Sequence, residues 1–264
     1  MAARPRSFVA VCAAAALSVS VASADESQRI VTDRPSVSTS ATTVPPGAFQ
    51  IEAGAGYART SIGGQTADRE VTLDLTLRAG LTDRIELRLD GQPLVITRGA
   101  QDDTGNGDIS LQAKYRFFDA REGSWSPALA ILPFVTFPIA SAPHGTHTPD
   151  FGLIALASFS LPWKLGLDTN AGVAGVAQHP SGYRAQGLVS AALSRDIGER
   201  WSTFAELFFA SAAERGARDS LGFDAGVQFF VTPRVALDAA GQTSLAGPGP
   251  DYAFRAGLSV RFGR

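Results

Sequence analysis

The sequence predicts an all-β protein: a transmembrane antiparallel up-and-down β-barrel of about twelve strands, preceded by an N-terminal signal peptide. Three observations carry this. The chain opens with an export leader. After it, no stretch approaches the roughly 20 consecutive apolar residues of a membrane helix, although 45% of the chain is hydrophobic. Two-faced segments of period two then recur to the end of the chain, most plainly over 70–90. There Val71, Leu73, Leu75, Leu77 and Ala79 alternate with Glu70, Thr72, Asp74, Thr76 and Arg78. A break at 80–83 is followed by Ile85, Leu87 and Leu89 alternating with Glu86, Arg88 and Asp90. Successive side chains of a strand point to opposite faces, so this is a long hairpin with one apolar and one charged face.

The leader comprises Arg4 and Arg6, an apolar run over 8–21, and the small-residue site Ala22-Ser23-Ala24. This is the signature of a secretory signal, with Asp25 as the mature start. Three regions follow: a cleaved signal over 1–24, an irregular N-terminal segment over 25–46, and the barrel over 47–264. Cys12 is the single cysteine and lies in the leader. The mature chain therefore has no disulfide, thiolate nucleophile or cysteine metal site. The whole chain carries a net charge of −2, and loss of Arg4 and Arg6 with the leader makes it −4. That balance leaves no electrostatic footprint for nucleic acid.

Residues 25–46 are rich in Ser, Thr and Pro and do not alternate. Strands are expected over 48–59, with Phe49, Ile51, Ala53, Ala55 and Tyr57 on one face, and over 70–79 and 85–96. The next, 108–118, opposes Ile109, Leu111, Ala113, Tyr115 and Phe117 to Asp108, Ser110, Gln112, Lys114 and Arg116. Residues 127–138 are apolar on both faces, and their prolines are awkward in a central strand. Further strands are expected over 151–161, 165–176, 183–194, 201–210, 219–231, 235–244 and 252–262. Strands of about ten residues suit a tilted bilayer crossing. The connections alternate too. Those at 81–83, 119–124, 162–164, 195–200 and 232–234 are mostly short, while those at 61–68, 98–106, 139–150, 177–182, 211–218 and 245–250 are mostly longer. This asymmetry is the outer-membrane pattern, with both chain ends on the short-turn, periplasmic side. Aromatics such as Phe49, Tyr57, Phe151, Tyr183, Trp201 and Phe262 fall near strand ends, as two interfacial girdles require.

Alternation alone does not say which face points inward; a soluble barrel would bury the apolar one. Strand length, strand count, loop asymmetry and export favour the membrane, with the polar face lining the lumen. The candidate lumen residues are Glu52, Asp74, Arg78, Glu86, Arg88, Asp108, Lys114, Arg116, Glu206 and Arg255. Opposite charges on neighbouring strands predict cross-strand ion pairs, read either as a mixed-charge constriction or as a ladder that only satisfies the interior. The three histidines, His144, His147 and His179, fall in loops without carboxylate support, so no metal site and no cofactor are expected.

Four motifs occur in order: Asp33-Arg34-Pro35; Val44-Pro45-Pro46-Gly47 with Phe49-Gln50-Ile51-Glu52; Gly80-Leu81-Thr82-Asp83-Arg84-Ile85-Glu86-Leu87-Arg88; and Gly107-Asp108-Ile109-Ser110-Leu111 with Lys114-Tyr115. Together they resemble the transporter-like outer-membrane family named for a meta-pathway of phenol degradation. The resemblance covers essentially the whole mature chain. It implies a bacterial outer-membrane pore for passive passage of small hydrophobic or aromatic compounds. It also implies outer-membrane lipid as surroundings and the barrel assembly machinery as a partner in biogenesis. Chains of this class typically end in an aromatic residue that the machinery reads, whereas here Phe262 is followed by Gly263 and Arg264. Asp33, Arg34 and Pro35 are candidates for a plug inserted into the lumen, the alternative being a periplasmic tail. Two other functions compete: a structural or adhesion barrel without an open pore, and an outer-membrane lipid hydrolase. The second needs a serine, a histidine base and an orienting group in hydrogen-bond reach, and the histidines here are all in loops.

Overall fold

The structure, a computed structural model, describes residues 29–62, 65–99, 102–121, 125–140, 148–178 and 181–263. The expected leader over 1–24 with its expected cleavage site, all three histidines and Arg264 lie outside the described residues.

The strands are β1 (Phe49–Ile62), β2 (Gln65–Gly80), β3 (Ile85–Arg98), β4 (Asp103–Gly105), β5 (Ile109–Phe118), β6 (Ala128–Phe137) and β7 (Asp150–Leu161). They continue as β8 (Leu165–Ala177), β9 (Tyr183–Ile197), β10 (Trp201–Ala210), β11 (Ser220–Thr232), β12 (Val235–Ala246) and β13 (Tyr252–Phe262). Each pairs with the next in sequence, except that three-residue β4 caps the upper part of β3 while β5 pairs with its lower part. β13 returns antiparallel to β1, with Phe49 opposite Phe262, Gly54 opposite Gly257 and Arg59 opposite Tyr252. Twelve wall strands therefore close into a barrel with no free edge, the condition for strands in lipid.

The wall is inside out relative to a soluble protein. Leu73, Leu87, Leu111, Leu153, Val173, Leu207 and Leu258 are exposed on the outer surface, while Glu52, Arg78, Glu86, Lys114 and Glu206 are buried inside. Aromatics gather in two outer belts. Trp201 stacks 4.7 Å from Phe229 at the end bearing the short turns, and Phe151 lies 5.2 Å from Tyr183 at the end bearing the longer loops.

Two segments depart from expectation. Residues 61–68 do not form a free loop, because β1 runs to Ile62 and β2 starts at Gln65, with Thr60 opposite Asp68. Polar side chains do not end a ladder that continues into water. Residues 127–138 are apolar on both faces because both faces are covered. Pro133 and Val135 look outward, while Ala128, Ala130 and Leu132 pack inside against Leu156 and Ala41. The pairing of β5 with β6 skips from Gln112–Phe134 to Tyr115–Ile131, which accommodates the missing N–H of Pro133.

Candidate functional site

Residues 29–48 enter the lumen at the turn end and follow its inner wall back to the start of β1. They form no strand, so their backbone N–H groups need acceptors other than a ladder. Wall side chains supply them. Glu52 accepts from the N–H groups of Asp33 (3.1 Å) and Arg34 (3.0 Å). Glu206, across the barrel on β10, accepts from Val37 (2.7 Å), from Ser38 N–H (2.6 Å) and from the Ser38 hydroxyl. Asn170 on β8 brackets Thr39, accepting its N–H at 2.7 Å and donating to its carbonyl at 2.8 Å. The Ser158 hydroxyl accepts from Ala41 N–H at 2.8 Å, and Glu86 accepts from Val44 N–H at 2.7 Å. At the mouth, Ile30 N–H donates to Pro233 O at 2.7 Å, and Arg29 pairs with Asp196 at 2.7 Å while its guanidinium lies 4.1 Å from the Phe230 ring.

The charged centre lies where this segment meets β1, β2, β3 and β5. The Asp33 carboxylate takes Arg88 at 2.5 Å, Arg78 at 3.3 Å and Lys114 at 3.5 Å. Arg78 also binds Glu52 at 2.7 Å and Glu86 at 2.8 Å, and Lys114 stands 3.9 Å from Glu86. The wall offers the cations Arg78, Arg88 and Lys114 against Glu52, Glu86 and the more exposed Asp90, 3.7 Å from Arg88, and Asp33 from the segment is the one carboxylate that reaches all three cations. Burial by itself would push the Asp33 carboxyl up. Arg78, then Lys114 and Arg88, with the Ser40 N–H, outweigh it and hold the group below the usual carboxylate range.

Arg34 points away from this centre, to Asp238 at 3.3 Å and Asp74 at 3.6 Å. Its guanidinium lies in a slot formed by the paired glycines Gly54 and Gly257, where a Cβ on either would collide with it. Pro35 is fully buried, and the Arg34–Pro35 peptide bond is cis.

Asp33, Glu52, Arg78, Glu86, Arg88 and Lys114 thus form one cluster, with Glu206 anchoring the far arm of the same segment. Asp74 and Arg255 border a loop-side cavity of about 620 Å³ whose lining includes Arg34; Arg255 binds Asp224 at 2.6 Å there. A second cavity of about 610 Å³ lies on the turn side, between the segment and β7 to β11. Arg116 is elsewhere, at the turn rim, donating to Asp83 O at 2.7 Å and pairing with Asp119 at 3.0 Å. Asp108 precedes β5 and accepts from Ala140 N–H at 3.0 Å. Asp168, Asn170, Asp224 and Asp238 also lie on the polar faces of their strands, though they are not among the candidate lumen residues. Gln50, Ser158 and the Gly54–Gly257 slot carried no signal beyond alternation, because what they do depends on the path of the segment.

The family model described as "Putative MetA-pathway of phenol degradation" matches residues 32–262. The chain belongs to this family. The match begins at Thr32, so it takes in the lumenal segment from Asp33 onward as well as the wall. Among solved structures, the chain is similar to the COG4313 outer membrane channel from Pseudomonas putida F1, at 17% identity and a TM-score of 0.69, covering 84% of this chain and 97% of that one. It is also similar to the NanC porin, at 10% identity and a TM-score of 0.54, covering 80% and 98%. The β-domain of the Bordetella autotransporter BrkA matches at 14% identity and a TM-score of 0.53, covering 80% and 98%. At such identities the likeness is one of fold. No curated protein matches the sequence.

Proposed function

We propose that this protein is an outer-membrane channel for passive passage of small solutes, hydrophobic or aromatic compounds among them. The observation that carries the reading is the lumen. Its wall is polar, and a cavity of about 620 Å³ opens on the loop side of the inserted segment and one of about 610 Å³ on the turn side. A barrel serving only as a membrane anchor has no need of two such chambers. The family's description and the channel and porin among its structural neighbours support the same reading. The apolar exterior would meet outer-membrane lipid. The chain would reach that membrane by export with a cleaved leader over 1–24 and insertion by the barrel assembly machinery.

In this reading the segment from 29 to 46 is a plug, held through Asp33 and Arg34, and solutes pass the constriction it makes with Glu52, Arg78, Glu86, Arg88, Lys114 and Glu206. Passive passage is favoured over hydrolysis because the sequence places all the histidines in loops, and two of the inward serines are engaged elsewhere: Ser158 binds Asp168, and Ser190 binds Ser38. The test is swelling of liposomes containing the refolded mature protein, in a size series of sugars and of phenols. Swelling that falls with solute size, with phenols entering faster than sugars of similar bulk, is expected. No swelling from a correctly inserted barrel would overturn the reading.

A further inference from the structure

Phenylalanines on the inner wall pair directly across strands with glycines. Phe134 on β6 stands opposite Gly152 on β7, and Phe204 and Phe208 on β10 stand opposite Gly226 and Gly222 on β11. All three rings belong to the lumenal face, since they alternate with the outward-facing Val135, Ala205 and Leu207. Each ring has atoms directly over its glycine. A Cβ at Gly152 would come within 2.5 Å of the Phe134 ring, and one at Gly226 within 2.6 Å of the Phe204 ring. At Gly222 the three atoms nearest to a Cβ all belong to the Phe208 ring, and the Cβ would overlap it.

We infer that Gly152, Gly222 and Gly226 widen the lumen on either side of the constriction at the inserted segment, by letting three phenyl rings lie against the wall instead of across the lumen. This rests on the channel reading. A phenyl ring standing off a β-wall reaches well into a lumen of this size. A glycine beneath it removes the side chain that would prop it up. Aromatic–glycine pairs also stabilise sheets in general, and the barrel contains a control for that effect. Phe151 stands opposite Gly175 on the outer face, where the atoms nearest to a Cβ are those of the Phe151 ring, the first at 2.9 Å. That pair has the same cross-strand arrangement, with a milder overlap, but faces lipid.

The mechanism is steric. Adding a methyl group at Gly222 makes the Phe208 ring retreat by on the order of 1 Å to recover ordinary carbon contact of about 3.5 Å. Because the ring lies on the lumenal side of Gly222, near the loop end of β10, that retreat carries it toward the lumen.

The test is single-channel conductance of the full mature chain in planar bilayers, for wild type, Gly222→Ala, Gly175→Ala, Phe208→Ala and the double variant Gly222→Ala with Phe208→Ala. Gly222→Ala is expected to lower conductance by about a fifth, as a shift of that size on one side of the lumen requires. The double variant restores wild-type conductance or exceeds it, and Gly175→Ala leaves it unchanged. Phe208→Ala alone raises conductance, so the inference stays testable even if Gly222→Ala fails to insert. Equal effects of Gly222→Ala and Gly175→Ala, or unchanged conductance in Gly222→Ala and Phe208→Ala alike, would overturn the inference while leaving the channel standing. A silent wild type would overturn the channel reading and the bore with it.

Discussion

The two ends of the lumen are built differently. On the turn side, six charged groups from four strands and the inserted segment are packed out of water, and each is committed to a partner; Arg78 is 1% exposed and touches three carboxylates. On the loop side the charges that border the cavity are wetter, with Asp74 at 28% exposure bound to Gln92 and Arg255 at 22% bound to Asp224. The same alternating pattern therefore codes for two kinds of interior. Buried charge fixes a structure, because a lone partner left in a dry site is costly. Solvated charge acts on what passes, because water screens its effect on stability.

That contrast predicts a steep fall in stability effects from one end to the other. Arg78→Met should have the largest effect, leaving Glu52, Glu86 and Asp33 short of a cation, at a cost of about 3–5 kcal/mol. The expected observation is loss of the heat-resistant folded band on gel electrophoresis at a much lower urea concentration. Asp33→Asn comes next, at about 3 kcal/mol, since it removes the carboxylate that Arg78, Arg88 and Lys114 share. Its sign with pH is set by the depressed Asp33 pKa, whose ordinary value is 3.8. A carboxyl with a lowered pKa contributes stability above its unfolded value and loses it as the pH falls through its folded one. The gap between wild type and Asp33→Asn should therefore hold from about pH 7 to about pH 4 and shrink only below that.

Glu206→Gln should be milder, about 1–2 kcal/mol, and local. Its measurable trace is faster amide exchange at Val37 and Ser38, with Asp33 and Arg34 still protected by Glu52. Asp74→Asn should change stability by less than about 1 kcal/mol. It should instead shift the reversal potential in a salt gradient toward weaker cation preference, because it removes a negative charge from the loop-side cavity. A large stability loss from Asp74→Asn, or none from Arg78→Met, would erase the distinction between the two ends.

How much of this the sequence discloses follows the same division. Strand periodicity is a local property, so the wall was legible wherever one face meets lipid and the other does not, as in 70–90. It failed at 127–138, where Leu132 and Ala130 face inward onto Leu156 and Ala41 and are as apolar as Pro133 and Val135 outside. Composition alone does not separate those two apolar faces. Inward charges such as Glu52, Arg78 and Glu206 were legible for the same reason, but not what they hold. Glu206 meets Ser38 from 168 residues away, and nothing in either stretch announces the other. Arg116 and Asp108 share the alternation of Lys114 yet lie at the strand's margins, where the turn at Asp83 and the chain at Ala140 claim them.

The central claim is that the segment before β1 occupies and narrows the lumen. The most direct test is single-channel conductance of the mature protein beside a variant lacking residues 25–46, both verified as folded by their heat-modifiable mobility. The account predicts a several-fold rise in conductance for the shortened chain, since its largest lumenal obstruction is gone. Equal conductance from two folded barrels would contradict it, and would mean that solutes never contend with Asp33, Arg34 and the charges that hold them.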